Sequence, residues 1–322
     1  MASSPATVSV HALDAGSVTV PESFFVMPVD EANARKTVPS LSFLIQHHSA
    51  STGRVTRVVF DLGIRRDPSL YAEPIYKHTQ SREPLLGRPD VVESLARGGL
   101  RPSDIDFVIL SHVHWDHVGM SSDFPESHFI VGNGALDLLS RKVKIGKGTY
   151  MQFEADLLLA NRTIELLPPS GGQTCQDYNN LLPTASQIIL GPWEQLEHFS
   201  HVIDLFHDQS LYIVNLLGHL PGHINALCRV DTTRYVYLAG DACHDRRIWT
   251  GEKDIAEWKD PNFEGQTCCI HADKKVAIQT IQRIRKLELG ETSLGPVEVV
   301  LAHDDQWAQH AKKQGRYFPG SL

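Results

Sequence analysis

Four short apolar runs of this 322-residue chain each end in histidine or aspartate. Such polar groups are costly at the end of a buried strand unless they are paired or bind an ion. Layered α/β folds carry their sites at the carboxyl ends of their strands. We therefore expect the four run ends to form one site. The runs with their endings are VILSHVHWDH, IVNLLGHLPGH, VYLAGDACH and EVVLAHDD.

The side chains at these run ends are of the types that bind zinc and other first-row divalent metals. One tetrahedral ion takes about four ligands, from the protein or from water. Seven candidates are too many for one ion, and they suit two ions with one carboxylate between them. The candidates are His112, His114, Asp116, His117, His219, Asp241 and His303.

The spacing within SHVHWDH divides these candidates between two ions. Side chains alternate along an extended segment, so His112 and His114 point the same way and can clasp one ion. Asp116 and His117 follow as the chain turns, and they can face the second ion. Asp241 is the carboxylate that we expect to bridge the two ions through its two oxygens.

These segments resemble those of the metallo-β-lactamase-fold hydrolases. The family signature H-x-H-x-D-H stands here at residues 112–117, and the lead-in LARGGLRPSDIDFVIL is also similar. GHLPGH, AGDACH and LAHDD resemble further segments of the family and follow in the right order. The resemblance covers roughly residues 20–310 and implies a four-layer αβ/βα sandwich, the metallo-β-lactamase fold.

The resemblance also implies roles for single residues. It assigns His219 and His303 as metal ligands and Asp241 as the bridging carboxylate. VVFDLG is similar to an early strand of the family, so Asp61 is expected to orient a ligand. The adjacent Asp304 and Asp305 remain alternatives to His303, and His223 is expected to be structural.

Within the superfamily, the likeness is greatest to the N-acyl-homoserine-lactonase-like branch. That branch commonly has a tyrosine three positions after the bridging aspartate, and this chain has His244 there, which we expect to donate a hydrogen bond to the substrate. The resemblance implies a hydroxide, held between two divalent metal ions, that attacks the carbonyl carbon of a lactone. Asp116 is the expected proton shuttle. Zinc is the expected metal, with manganese, cobalt and iron(II) as alternatives.

Other functions remain open on the sequence alone. The same dinuclear site could hydrolyse a lactam, a cyclic carbamate or a thioester. Two hypotheses from other functional classes are an iron-dependent oxygenase of this fold and a catalytically silent metal-binding protein. The complete ligand set argues against the silent protein, because purely structural metal sites are usually closed and rich in cysteine. The expected partner is a small molecule with a hydrolysable carbonyl.

Composition excludes several other classes of partner. The net charge is −8 and the chain has no long Lys/Arg cluster, so we expect no nucleic-acid partner. No run approaches the roughly 18 apolar residues of a membrane span. The five cysteines are odd in number and form no C-x-x-C motif, and the amino terminus does not resemble a secretory signal. We therefore expect a reduced, cytoplasmic protein.

The chain is predicted to be one metallo-β-lactamase-like domain over residues 1–322, with an insertion or lid at 141–200 that has no clear pattern. Runs rich in Val, Ile, Leu and Tyr predict strands at 17–29, 40–48, 55–63, 105–110, 210–219, 224–231, 234–244 and 296–305. Helical spacing predicts helices at 89–100, 134–142 and 274–288.

Overall fold

The computed structural model describes residues 5–142, 152–169, 182, 187–259 and 267–322. The strands in these ranges are β1 Val8–Leu13, β2 Ser17–Pro21, β3 Val26–Met27, β4 Arg35–Pro39, β5 Ser42–His48, β6 Val55–Phe60, β7 Phe107–Leu110, β8 His128–Val131, β9 Thr163–Glu165, β10 Glu194–Leu196, β11 Phe199–Asp204, β12 Leu211–Asn215, β13 Ile224–Arg229, β14 Tyr235–Leu238, β15 Asp254–Ile255, β16 Trp258–Lys259, β17 Thr267–Cys268 and β18 Val297–Val300. The helices are α1 Glu73–Gln80, α2 Val91–Arg97, α3 Ala135–Leu139, α4 Arg246–Thr250, α5 Lys274–Glu288 and α6 Asp305–Lys313.

Most of these strands form two six-stranded sheets. Sheet one has the order β1-β5-β6-β7-β8-β9, and its strands are parallel from β6 to β9. Sheet two has the order β10-β11-β12-β13-β14-β18, and only β14 and β18 are parallel. Parallel neighbours end at the same edge of a sheet, so the residues after β6 and β7 lie together, as do those after β14 and β18.

Alternating side chains of each sheet pack into two different cores. On β7, Phe107 and Ile109 face the core between the sheets, while Val108 and Leu110 face the core that contains Val91 and Leu95 of α2. Because both faces of β7 are covered, all four of its residues are buried and its sequence reads as a continuous apolar run.

Sheet two repeats this arrangement on the other side of the molecule. Val236 and Leu238 of β14 face the central core, while Tyr237 faces the outer core that includes Ile281 and Ile284 of α5. The layers are therefore helices, sheet, sheet and helices. This order confirms the predicted four-layer αβ/βα sandwich.

The predicted strand at 17–29 is wrong as a single element. Strand β2 ends at Pro21, a 3-10 turn spans Glu22–Phe24, and β3 pairs with the distant β15. The cause is tertiary pairing with residues more than 200 positions away, which the local pattern of 17–29 does not contain. We call residues 22–34 the flap.

The predicted insertion at 141–200 lies largely outside the described residues. Its described parts supply β9 to the edge of sheet one, and β10 and the start of β11 to the edge of sheet two. Its role as a lid stays a prediction. Among the helices of the described ranges, we find none with the length and apolar character to cross a bilayer.

Candidate metal centre

The carboxyl ends of four strands and one loop meet at a single edge of the sandwich. Asp61 follows β6, and His112 to His117 follow β7. Asp241 and His303 follow the parallel pair β14 and β18, in which Leu238 is opposite Val300. Backbone hydrogen bonds tie these ends together, from Ile224 N to Ser111 O at 2.8 Å and from Ala302 N to Gly240 O at 3.1 Å.

One set of four ligand atoms comes from His112, His114, His219 and Asp241, all of which are buried. The Nε2 atom of His112 lies 3.0 Å from Nδ1 of His114 and 3.3 Å from Nε2 of His219. Nε2 of His219 lies 3.1 Å from Nδ1 of His114. Oδ2 of Asp241 lies 3.5 Å from Nε2 of His112 and 3.4 Å from Nε2 of His219.

These separations fit a tetrahedral cation. Four donors placed about 2.0–2.1 Å from one ion lie about 3.3–3.4 Å from each other. The separations observed among the His112, His114, His219 and Asp241 atoms, from 3.0 to 3.5 Å, are close to this spacing. Three imidazole nitrogens whose lone pairs converge on one point would repel each other without a positive charge between them. The donor set and its spacing therefore suit a divalent metal ion.

A second set lies against the other oxygen of Asp241. Its Oδ1 is 3.2 Å from Nε2 of His117 and 3.2 Å from Nε2 of His303. Oδ2 of Asp116 completes the set at 3.7 Å from Nε2 of His303. The carboxylate of Asp241 thus presents one oxygen to each set.

The position of Asp241 depends on its neighbours in the chain. Gly240 has φ +50°, and a Cβ there would lie 3.0 Å from both the His223 ring and the Ser111 side chain. The backbone N–H of Asp241 donates to Nε2 of His223 at 3.2 Å, while Nδ1 of His223 donates to the carbonyl of Leu216 at 3.2 Å. His223 therefore orients the Asp241 turn, in agreement with its predicted structural role.

Burial leaves the rings of the first set neutral. It lowers the pKa of His112 and His219 well below the ordinary value, and that of His114 to about 4. A neutral imidazole has a free lone pair, which is what a metal ion requires.

The second set has the opposite balance. Burial opposes charge on His117, but the carboxylates of Asp241 and Asp61 outweigh it and raise the pKa of His117 well above its ordinary value. Burial likewise opposes the charge of Asp241, and the surrounding rings, with His117 and His303 foremost, outweigh burial and hold its pKa well below the usual range. The carboxylates of this part of the site therefore favour positive charge on the rings beside them.

Outer partners hold the second nitrogen of several of these rings. Asp61 accepts from Nδ1 of His117 at 2.9 Å, and also from the backbone N–H and the hydroxyl of Ser111 at 2.6 and 2.7 Å. The Ser111 hydroxyl in turn lies 3.0 Å from Nδ1 of His112. Nδ1 of His303 donates to the carbonyl of Pro39 at 2.8 Å. Asp61 is thus placed where a ligand-orienting carboxylate is expected.

All seven sequence-predicted ligands meet in these two sets, divided as the spacing predicts. Asp304, one of the two alternatives to His303, instead caps α6 by accepting from Trp307 N at 2.9 Å, and its other oxygen pairs with Arg246. Asp305, the other alternative, pairs with Lys36 at 2.7 Å. Binding of metal by the seven residues stays a prediction, as does the identity of the metal.

His244 lies beside the first set. Its Nε2 atom is 3.2 Å from Oδ2 of Asp241, and its ring packs 5.2 Å from that of Phe25. Its Nδ1 atom is buried and has no hydrogen-bond partner among the described residues.

The centre contains a further buried histidine, His271, that the sequence did not predict. His271 lies 3.3 Å from His219, measured between their Nδ1 atoms, and its ring is 4.9 Å from that of His244. Its only sequence signal is the short apolar run before it, because β17 has just two residues.

Both sets lie at the floor of a cavity of about 390 Å³. His114, Asp116, Asp241, His244 and His303 reach its surface. The walls are mainly apolar and include Val18, Val38, Phe25, Trp115, Trp258 and Ile270. Polar and charged side chains outside the two sets also line the cavity, among them Lys36, Arg82 and Arg247.

The roof of the cavity includes part of the flap, which is bound to the segment after His244. Glu22 pairs with Arg247 at 2.9 Å, and Asp30 pairs with Lys253 at 2.6 Å. Strand β3 hydrogen-bonds with β15, and the ring of Phe24 packs 4.8 Å from that of Trp258.

Known proteins that are similar to this chain in sequence and in structure agree on one family. The model of the metallo-beta-lactamase superfamily matches residues 36–295. The solved structure of an N-acyl homoserine lactone hydrolase, with the product N-hexanoyl-L-homoserine at its catalytic metal centre, superposes with a TM-score of 0.64 at 16% identity, over 98% of this chain and 100% of that chain. At that identity, the likeness concerns the fold.

Two curated relatives are similar in sequence. The cytochrome P450 monooxygenase mpaDE' of Penicillium brevicompactum is 28% identical over 94% of this chain, which spans only 34% of that protein's length. The gamma-lactamase FDB1 of Fusarium pseudograminearum is 28% identical over 75% of this chain and 54% of its own length.

Proposed function

The chain belongs to the metallo-beta-lactamase superfamily, and from this premise we propose that it is a metal-dependent hydrolase that opens a lactone at a dinuclear metal centre. The observation that carries the proposal is the carboxylate of Asp241, which presents one oxygen to each of two His/Asp sets. We assign His112, His114 and His219 to one ion, and the second set to the other. The ligands of the second ion are Asp116, His117 and His303.

Two divalent cations bound there would activate a water molecule and polarise the carbonyl group that it attacks. The residues of the chain supply the remaining functions. Asp116, which reaches the cavity beside His303, accepts the proton of the attacking water and passes it to the leaving oxygen. His244 donates a hydrogen bond to the substrate from the opposite side of Asp241. The apolar part of the walls, which includes Val18, Val38 and Trp258, would hold the apolar body of the substrate.

A lactam is the second candidate substrate. The relative FDB1 is named a gamma-lactamase, and 75% of the present chain aligns with it at 28% identity. Opening a lactam needs the same attack on a carbonyl, but the leaving atom is nitrogen and requires a proton more strongly than oxygen does. The lactone stays our first choice because the motifs resemble the lactonase-like branch.

The direct test is metal analysis of the purified protein together with a substrate panel. We expect about two divalent ions per chain, hydrolysis of at least one lactone, and loss of turnover after treatment with a chelator. Turnover should return when zinc, manganese, cobalt or iron(II) is added. The panel contains lactones, lactams, a cyclic carbamate, a thioester and a phosphodiester.

Fewer than about one bound metal ion per chain would contradict the proposal. Hydrolysis of the phosphodiester alone would refute the substrate class, and oxygen uptake by an iron-loaded protein would identify an oxygenase. Turnover of the lactam without turnover of any lactone would replace the first candidate with the second.

His244 gives a separate prediction. Replacing it with phenylalanine keeps the packing against Phe25 but removes the donor, so we expect kcat to fall by roughly 10²- to 10³-fold. Metal content should stay unchanged. The His244→Gln variant retains an N–H donor and should recover part of the rate. Loss of a bound metal ion from His244→Phe would show that this residue is a ligand instead.

Zinc as the resident metal and a cytoplasmic location also stay predictions.

A further inference from the structure

A histidine ligand binds its metal ion more tightly when the ring nitrogen that faces away from the ion donates a hydrogen bond to an acceptor. Such an acceptor selects the tautomer and fixes the plane of the ring. In this centre, Ser111 holds His112, and the carbonyl of Pro39 holds His303. His219 has neither a hydroxyl, a carboxylate nor a carbonyl within hydrogen-bonding distance of its Nδ1 among the contacts of the described residues.

The group that lies there is the ring of His271. The two Nδ1 atoms are 3.3 Å apart, and both residues are buried. The backbone fixes this approach, because Ala272 N donates to the carbonyl of His219 at 2.9 Å and Asp273 N donates to the carbonyl of Gly218 at 2.9 Å. The segment that carries His271 is therefore bound along the segment that carries His219.

The protons of this pair follow from the geometry. Nε2 of His219 faces His112, His114 and Asp241 at 3.1 to 3.4 Å, so its lone pair is the one directed into the first set. The proton of a neutral His219 must then sit on Nδ1, where His271 is the nearest acceptor. His271 consequently carries its own proton on Nε2, which is buried and has no hydrogen-bond partner among the described residues.

We infer that His271 is a positioning residue of the metal centre, which accepts the Nδ1 proton of His219 and so directs the Nε2 lone pair of His219 at the first ion. This inference rests on the proposed function, since it concerns the ligand role of His219. An imidazole replaces the usual carboxylate or carbonyl in this position.

The close approach of His271 to His219 has a competing explanation, which is a third cation site. Each of the three rings, those of His219, His244 and His271, has one nitrogen within 4.8 Å of a nitrogen of both other rings. A cation among them would have to take Nδ1 of His219 while Nε2 binds the first ion. His219 would then have to lose both protons, and the three rings bring no carboxylate of their own to offset the added charge. The acceptor role needs no such ionisation.

The experiment compares His271→Phe with His271→Asn. Phenylalanine keeps the bulk of the ring without an acceptor, whereas the amide oxygen of asparagine can accept near the Nδ1 position. The matched control is His47→Phe, since His47 is also a buried histidine, which stacks on Phe206 and pairs with Asp208, away from the metal centre. Affinity for cobalt(II) is measured by competition with a chromogenic chelator, together with the visible absorption spectrum.

We expect His271→Phe to weaken binding of one of the two cobalt ions by about 10- to 100-fold and to change its absorption spectrum. His271→Asn should recover most of the affinity, and His47→Phe should match the unchanged protein. Thermal unfolding of the metal-free variants separates an effect on the site from a loss of folding.

Equal affinity in His271→Phe and the unchanged protein, with two ions bound in each, would overturn this inference alone. Three ions in the unchanged protein and two in His271→Phe would also overturn it, in favour of a third cation site. An unchanged protein that binds no metal would instead overturn the proposed function.

Discussion

Replacing Asp241 with asparagine should reduce the bound metal from two ions per chain to at most one, and should lower turnover by roughly 10³-fold, or about 4 kcal/mol of transition-state stabilisation. The reason is that Asp241 gives one oxygen to each ligand set, whereas an asparagine side chain has a single oxygen. Metal analysis and steady-state kinetics on the same preparation measure both effects.

Two further variants make this prediction specific. The double variant His112→Ala, His114→Ala removes two donors of the first set only, so it should lose one ion and keep the second. Asp208→Asn is the matched control, because Asp208 is also paired with a buried histidine, His47, outside the metal centre. Two ions per chain in Asp241→Asn, or full activity in the double variant, would contradict the assignment of the ligands.

Replacing Asp61 with alanine should destabilise the metal-free protein by about 3–5 kcal/mol, because it removes the partner of a buried charged group. Asp61 is 1% exposed, and it accepts from the backbone and hydroxyl of Ser111 and from Nδ1 of His117. Alanine leaves these donors without an acceptor. Denaturant unfolding of the metal-free protein measures the loss, and metal affinity should fall by about 10- to 100-fold.

The Asp61→Asn variant separates charge from backbone conformation. Asp61 has φ +61°, a left-handed conformation that asparagine adopts more readily than alanine does. Asparagine should therefore lose less stability than alanine, while the pKa of His117 falls because one of the carboxylates that raise it is gone. If alanine and asparagine both unfolded like the unchanged protein, Asp61 would not support the site.

The sequence identifies the seven candidate ligands because each follows an apolar run whose pattern is strong. Val108 to Leu110 are buried on both faces, so the run is continuous, and the change to polar residues at Ser111 marks the strand end. The helix predicted at 274–288 agrees with α5 for a similar reason, since Asp273 caps it and its apolar residues recur at helical spacing.

Other parts of the site depend on contacts between distant residues, and the sequence did not predict them. His271 follows a two-residue strand, and only its approach to His219 gives it a meaning. The break after Pro21 is caused by pairing with β15. His244 is identifiable by its place after Asp241, but its contact with Phe25 requires the flap to lie over it.

The way the flap is attached has a consequence for how such a protein can diverge. The ligands sit at the ends of the sheet strands, whereas the cavity roof comes from residues 22–34 and 245–258, which bind each other through Glu22–Arg247, Asp30–Lys253 and the β3–β15 pair. Substitutions in the roof can change the shape of the binding space while leaving the strand ends intact. Reactivity and selectivity are thus encoded in separate stretches of the chain, and mutation can vary one with little effect on the other.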